Sequence, residues 1–253
     1  MKAYLAFCKK EFTESLRTNK LVIMLVAFAL FGVMSPMFAK MLPVLLNGID
    51  IGMTLHLPEP TALDSWAQFF KNIGQMGVLV LVIVFSGVTA HEFSKGTLVN
   101  ILTKGMKRRT VIFSKFTVAA MIWMLSYLLC LGITCSYTAY FWEIEPLPHA
   151  FLAFASPCIY GLFLISLMIL GGVWFGSFLG TLTLTGSVII VMSLLSIHPD
   201  FQKYNPLSLS GGAIALLNEQ KTPDDFIPAL MICLVLTALN IAGTVMFFNR
   251  KQV

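Results

Sequence analysis

Long runs without a single Asp, Glu, Lys or Arg decide what this chain can fold into. Residues 21–39 and 72–90 give two such runs of 19, residues 116–142 one of 27 and residues 226–249 one of 24. About 20 apolar helical residues cross the hydrocarbon of a bilayer, so each run is close to or beyond one span. A fifth run, residues 150–197, is 48 long. At about 1.5 Å per residue it measures roughly 72 Å, twice the bilayer core plus a turn. It divides near 176–185, GSFLGTLTLT, where glycine, β-branched and hydroxyl residues weaken a helix. The runs show no alternation of period two, which argues against barrel strands. Six helices follow.

Composition agrees. Of 253 residues, 57% are hydrophobic and 11% charged, where soluble domains carry about a quarter charged. So little polar material cannot cover an aqueous globule. The expectation is a single all-α transmembrane domain over 1–253. Its spans are expected at 21–39, 72–90, 111–142, 151–175, 181–197 and 226–249.

Six spans place both termini on one side. That side carries five Lys or Arg before the first span, six in residues 91–115, then Arg250 and Lys251, thirteen in all. The other side has four, Lys40, Lys71, Lys203 and Lys221. The positive-inside rule then predicts cytoplasmic termini in a plasma membrane. Nine of the twelve acids fall on the outer side. A sequence pI near 9.0 accordingly points to topology and anionic headgroups, not nucleic acid.

The first 20 residues do not read as a cleavable signal, because they include Glu11 and Glu14 and the apolar run behind them is too long. Leu5, Cys8, Phe12 and Leu16 recur at helical spacing, with Lys2, Lys9, Lys10 and Arg17 around them. This predicts an amphipathic helix lying in the inner headgroup layer. The five cysteines show no disulfide or metal spacing, and the 14 methionines read as packing.

Catalytic signatures fail. His91-Glu92 opens like a zinc motif, but Lys95 stands where its second histidine belongs. No nucleophile elbow and no phosphate loop occurs. The charge-free runs offer no proton relay. Gly172, Gly176 and Gly180 suit close helix packing or a turn. No enzymatic activity, cofactor or metal is expected on this chain.

Residues 91–115, HEFSKGTLVNILTKGMKRRTVIFSK, form the most polar long stretch. Thr97 suits an N-cap, and Gly105 suits the left-handed residue that stops a helix. Between them Leu98, Ile101 and Leu102 give one apolar face two turns long. A loop that only sets topology has no use for such a face. It could lie on the membrane or fill a groove on a partner.

The string Glu92-x-x-x-Gly96-Thr97-Leu98, followed by Leu102, Arg109 and Lys115, resembles the pattern of ABC-2-type transporter permeases in the same place, between the second and third of six spans. The resemblance extends to the whole layout, with a basic N-terminal elbow helix (1–20) and a longer outer connection after span five. It implies that 91–110 is a cytoplasmic coupling segment whose residues Glu92, Gly96, Thr97, Leu98, Ile101, Leu102, Arg109 and Lys115 serve a separately encoded ATP-binding subunit. It further implies two copies of that subunit carrying ATP and Mg, and a second permease chain, identical or related. Glu92 would pair near the elbow, while Arg109 and Lys115 would anchor at the headgroups. The outer connection, 200–225, could fold partly back into the membrane through 205–217. His91 departs from the small or acidic residue usual before the Glu. The cargo expected of spans without charge is an amphiphile, lipid, hydrophobic peptide or drug-like molecule.

Two further expectations stand beside these. Asp64 to Lys71 reads as a short helix whose Trp66, Phe69 and Phe70 sit at the outer membrane interface. A rival to the permease is an ATP-independent channel or membrane-embedded immunity factor, in which the basic loop fixes topology alone.

Overall fold

The computed structural model describes residues 2–47, 59–94, 106–143 and 146–250. Among these there is no strand, and six helical stretches are long and apolar enough to cross a membrane. The protein is an all-α, multi-pass membrane protein. Helices are the form that satisfies every backbone N–H and C=O within one segment where water is absent.

Helix α1 (Lys2–Arg17) precedes the first span. Two residues past its end Asn19, whose φ of 57° is the left-handed conformation that Asn tolerates, turns the chain into α2 (Lys20–Asn47). The second span is composite. It runs through α3 (Ala62–Asn72), a π turn at Ile73–Gly77, α4 (Val78–Phe85) and α5 (Gly87–Ser94). Then come α6 (Arg108–Phe141), α7 (Ala150–Phe175) and α8 (Phe178–Leu195). Three short turns, α9 (Pro199–Gln202), α10 (Ser208–Gly211) and α11 (Ile214–Leu217), lead into α12 (Pro223–Arg250). The backbone N–H of Thr61 donates to the Asp64 carboxylate at 2.8 Å, and that of Thr222 to Asp225 at 3.2 Å. Both span starts are therefore capped by the same Thr-x-x-Asp device.

The 48-residue run divides at Gly176. Its φ of 62° and its N–H bond to the Gly172 carbonyl (3.0 Å) end α7, and the Ser177 hydroxyl accepts the Gly180 N–H at 3.1 Å to start α8. Gly172 serves packing instead: a Cβ there would stand 2.8 Å from the Thr89 Cβ on α5. Helix α7 is the centre of the bundle, against α12, α8, α5, α6 and α4, while α2 lies along α6. All five cysteines are free; Cys130, Cys158 and Cys233 are buried, and Cys135 is exposed.

The outer aromatics differ from expectation. The second helical stretch begins at Ala62, ten residues before the apolar run, and Trp66, Phe69 and Phe70 are buried rather than spread along an interface. Trp66 meets Phe154 edge-on at 4.9 Å and Phe70 stacks on the same ring at 5.6 Å. Lys71 bounded the charge-free run and Asp64 lies beyond it, but both are exposed, so the helix extends past Lys71 with its aromatic face turned inward. The connection between α8 and α12, expected on the outer side, also turns inward. Leu209, Ala213, Leu216 and Leu217 are buried, with α10 against α7, α12 and the π turn. At that crossing a Cβ on Gly74 would lie 3.3 Å from the Gly211 Cα. Asn205 donates to the Met192 carbonyl (2.5 Å), which also accepts the Ser196 N–H (3.0 Å), and to the Ser196 hydroxyl (2.7 Å), so it ties this connection to the last turn of α8.

Candidate functional site

Helix α1 presents two faces. Leu5, Phe12 and Leu16, the stripe legible in sequence, point away from the bundle. The face packed on α6 is built instead from Phe7, Glu11 and Ser15, which are buried, with Tyr4 bonded to the Thr117 hydroxyl at 2.7 Å. Glu11 therefore enters the protein on an otherwise apolar or hydroxyl face. A buried carboxylate needs a charged partner, since desolvating it alone is costly.

That partner is Lys115, seven residues into α6 and only 1% exposed. Its ammonium lies 3.0 and 3.1 Å from the two Glu11 oxygens and 2.8 Å from Glu92 Oε2. It also donates to the Val88 carbonyl at 3.1 Å. Glu92, 6% exposed at the end of the second span, reaches with its other oxygen to Lys10 at 2.5 Å. Lys10 bridges Glu11 (3.0 Å) and Glu14 (2.8 Å) as well. Lys20 lines the same small crevice as Glu11, Glu14 and Lys115. Three carboxylates and three ammonium groups are thus brought together.

The electrostatics of the outer members follow from this geometry. Burial by itself draws the Lys10 ammonium down, but bonds to Glu14 and Glu92 and the charge of Glu11 outweigh it, so its pKa stands above the ordinary lysine range. Burial would raise Glu14; the hydrogen bond and charge of Lys10 outweigh that too, and its carboxyl sits below the usual range. The ligand oxygens of Glu11, Glu14 and Glu92 fall within 4.8 Å of one another, the spacing of a metal site. Lysine nitrogens already stand between them, however, so the arrangement is an ion-pair network rather than an open set of ligands.

What the network joins matters more than its charge. It ties three separate elements, α1, the end of α5 and the start of α6. The polar segment leaves from α5 and returns to α6, so Glu92 and Lys115 clamp its two feet to each other and to the N-terminal helix. Arg108 adds a second tether: its guanidinium donates to the Phe248 carbonyl and lies 5.2 Å from the Phe248 ring, fixing α12 to the start of α6.

Of the site residues read from sequence, the structure unites Glu92 and Lys115. Lys115, expected as a headgroup anchor, is fully enclosed by protein, because α6 begins at Arg108 and carries it under α1. Arg109 is exposed. Gly96, Thr97, Leu98, Ile101 and Leu102, with the expected helix ending at Gly105, lie outside the described residues, as does the His91 side chain. Sequence reasoning missed Glu11, Lys10 and Glu14. A signal was present: Glu11, Glu14 and Glu92 are the three acids that the topology leaves on the side of thirteen cations, and the fold gathers all three.

No family model matches the chain. It is similar to the uncharacterized transmembrane protein YxlG of Bacillus subtilis (strain 168), with 20% identity over 257 residues, covering all of this chain and 99% of that protein.

Proposed function

We propose that this chain is the membrane-spanning permease subunit of an ATP-driven exporter of the ABC-2 type, paired with a separately encoded ATP-binding subunit. The observation that carries the reading is the Glu92–Lys115–Glu11 network. It sits at the two feet of the segment that resembles the family's coupling motif, and it locks them to the N-terminal helix. A push delivered on that segment would move α1, the end of α5 and the start of α6 together rather than bend a loose loop. A segment that served topology alone would gain nothing from a buried, three-element clamp. The full-length similarity to another transmembrane protein agrees with one domain whose layout is kept from end to end.

In this scheme two ATP-binding subunits close on ATP and Mg, and their motion reaches the spans through the clamp. The cargo path opens between two permease chains, identical or related. The termini and the basic segment are cytoplasmic, in the plasma membrane. This chain supplies no phosphate loop, so hydrolysis belongs to the partner. Co-expression with an ATP-binding subunit encoded beside it, followed by affinity purification of the permease, is expected to retain that subunit in a one-to-one ratio of chains. Recovery of the permease without it from membranes where both are abundant would sink the reading in favour of an ATP-independent membrane protein.

Orientation has its own check. Single cysteines introduced at Lys107 and at Val253 are expected to resist an impermeant thiol reagent in intact cells, while one at Asp64 reacts. Reaction at the C-terminus of intact cells would overturn the cytoplasmic placement.

A further inference from the structure

At the end of the bundle opposite the ion-pair network, a cleft of about 790 Å³ opens among α3, the last turns of α6, the start of α7 and the residues after α11. That volume falls within the roughly 300–1,000 Å³ of small-molecule sites. Its lining is divided by chemistry. Glu59, Glu143 and Glu219 are exposed at the ends of the elements that form the mouth. Below them the walls carry Trp66, Trp142 and Phe154, and the cleft continues along α6 to Cys135 and Leu131. From Trp142 to Leu131 is eleven helical residues, about 16 Å. Among the described lining residues there are three carboxylates and no Lys, Arg or His.

The walls are held. The Trp142 indole donates to the Pro60 carbonyl at 2.6 Å, fixing the mouth across α6 and the segment before α3. Ser65 and Thr138 share a hydrogen bond of 2.7 Å between the same two elements. The Trp66 ring is set by its edge contact with Phe154. Among the described residues that line the cleft, no lysine or arginine stands beside the rim carboxylates, and the cations at this end have other partners: Lys40 sits over the Phe141 ring, Lys203 pairs with Asp225 and Lys221 bonds Gln202.

We infer that this cleft is a binding site for a small amphiphile with a cationic head, the head held among Glu59, Glu143 and Glu219 and the apolar body lying along α6 to Leu131. A cation at the mouth gains from three carboxylates, with the half-buried Trp142 indole in the wall beside them. An anionic amphiphile of equal size meets the same wall and is repelled. The inference deepens the export reading by giving its cargo a charge and a place, and it rests on that reading for its biological meaning alone; binding needs no ATPase.

Cys135 makes the site readable, because it is exposed in the lining while Cys130, Cys158 and Cys233 are buried. The full chain carrying Cys8→Ser is reconstituted in nanodiscs of neutral phosphatidylcholine, and Cys135 is labelled with a lipid-soluble maleimide. Dodecyltrimethylammonium is expected to slow labelling saturably, whereas dodecyl maltoside and dodecyl sulfate at equal concentration leave it unchanged. In the triple variant Glu59→Gln, Glu143→Gln, Glu219→Gln, about tenfold more dodecyltrimethylammonium is expected to be needed, a loss of about 1.4 kcal/mol. These acids are exposed, so an unchanged melting temperature is the expected control for folding. Equal protection by all three amphiphiles, or an unaltered triple variant, overturns the cationic specificity. Absence of protection by any of them overturns the site. A chain that fails here yet retains its ATP-binding subunit refutes the cleft and leaves the exporter reading standing.

Discussion

Replacing Lys115 with methionine is expected to destabilise the protein by about 3 to 5 kcal/mol, because it removes the buried cation that Glu11 and Glu92 share and leaves these two buried carboxylates only the partly exposed Lys10. For a chain of this size each kcal/mol moves the thermal midpoint by about 2–4 °C, so the detergent-solubilised variant should melt roughly 6 to 20 °C below the parent. Two companions separate this from a generic core defect. Lys10→Met removes an ammonium that is 40% exposed, and pairs of that exposure contribute about 0 to 1 kcal/mol. Combining Glu11→Gln with Lys115→Met removes a charge from each side and should recover part of the loss, as coupled neighbours do. If the Lys115 variant melts within 2 °C of the parent, the network does not hold the three elements together and the clamp argument fails.

The second large effect concerns capture of the ATP-binding subunit. Leu98→Asp with Leu102→Asp is expected to strip that subunit from the purified complex. Two well-packed leucines contribute about 1.5 to 3 kcal/mol each on burial, so losing both weakens docking by a hundredfold or more. Two carboxylates forced into an apolar groove add to that. The natural control neutralises cations of the same segment. Here the structure changes the choice. Arg108 is committed to the end of α12 through Phe248, so its loss would disturb the bundle itself. Lys107 and Arg109 are exposed, and their joint neutralisation should leave the ATP-binding subunit in place. Pull-downs of the two double variants at equal membrane expression decide the matter. Retention of the subunit by the Leu98/Leu102 variant would make this segment a topology signal.

What the sequence determined by itself is the number and order of the spans. Charge is so costly in hydrocarbon that its absence over 19 or more residues locates a helix without reference to any neighbour. A break within 176–185 is legible for a similarly local reason, since glycine, β-branched and hydroxyl residues weaken a helix wherever they stand, while its place at Gly176 is set by the left-handed φ the structure shows there. The direction in which each helix turns was not legible. In a soluble protein an apolar stripe marks the buried face, but lipid is as apolar as a protein core, so the same stripe can face either. Leu5, Phe12 and Leu16 face away from the bundle, in keeping with the amphipathic helix expected there, with Cys8 of the same stripe half-buried; that Glu11 on the opposite side of α1 faces in was not legible. Trp66, Phe69 and Phe70 looked like an interfacial belt and are packed around Phe154. Lys115 looked like a headgroup anchor because it borders an apolar run. Whether such a lysine meets phosphate or carboxylate depends on a residue 104 positions away, Glu11, and only the packing of α1 on α6 brings that carboxylate to it.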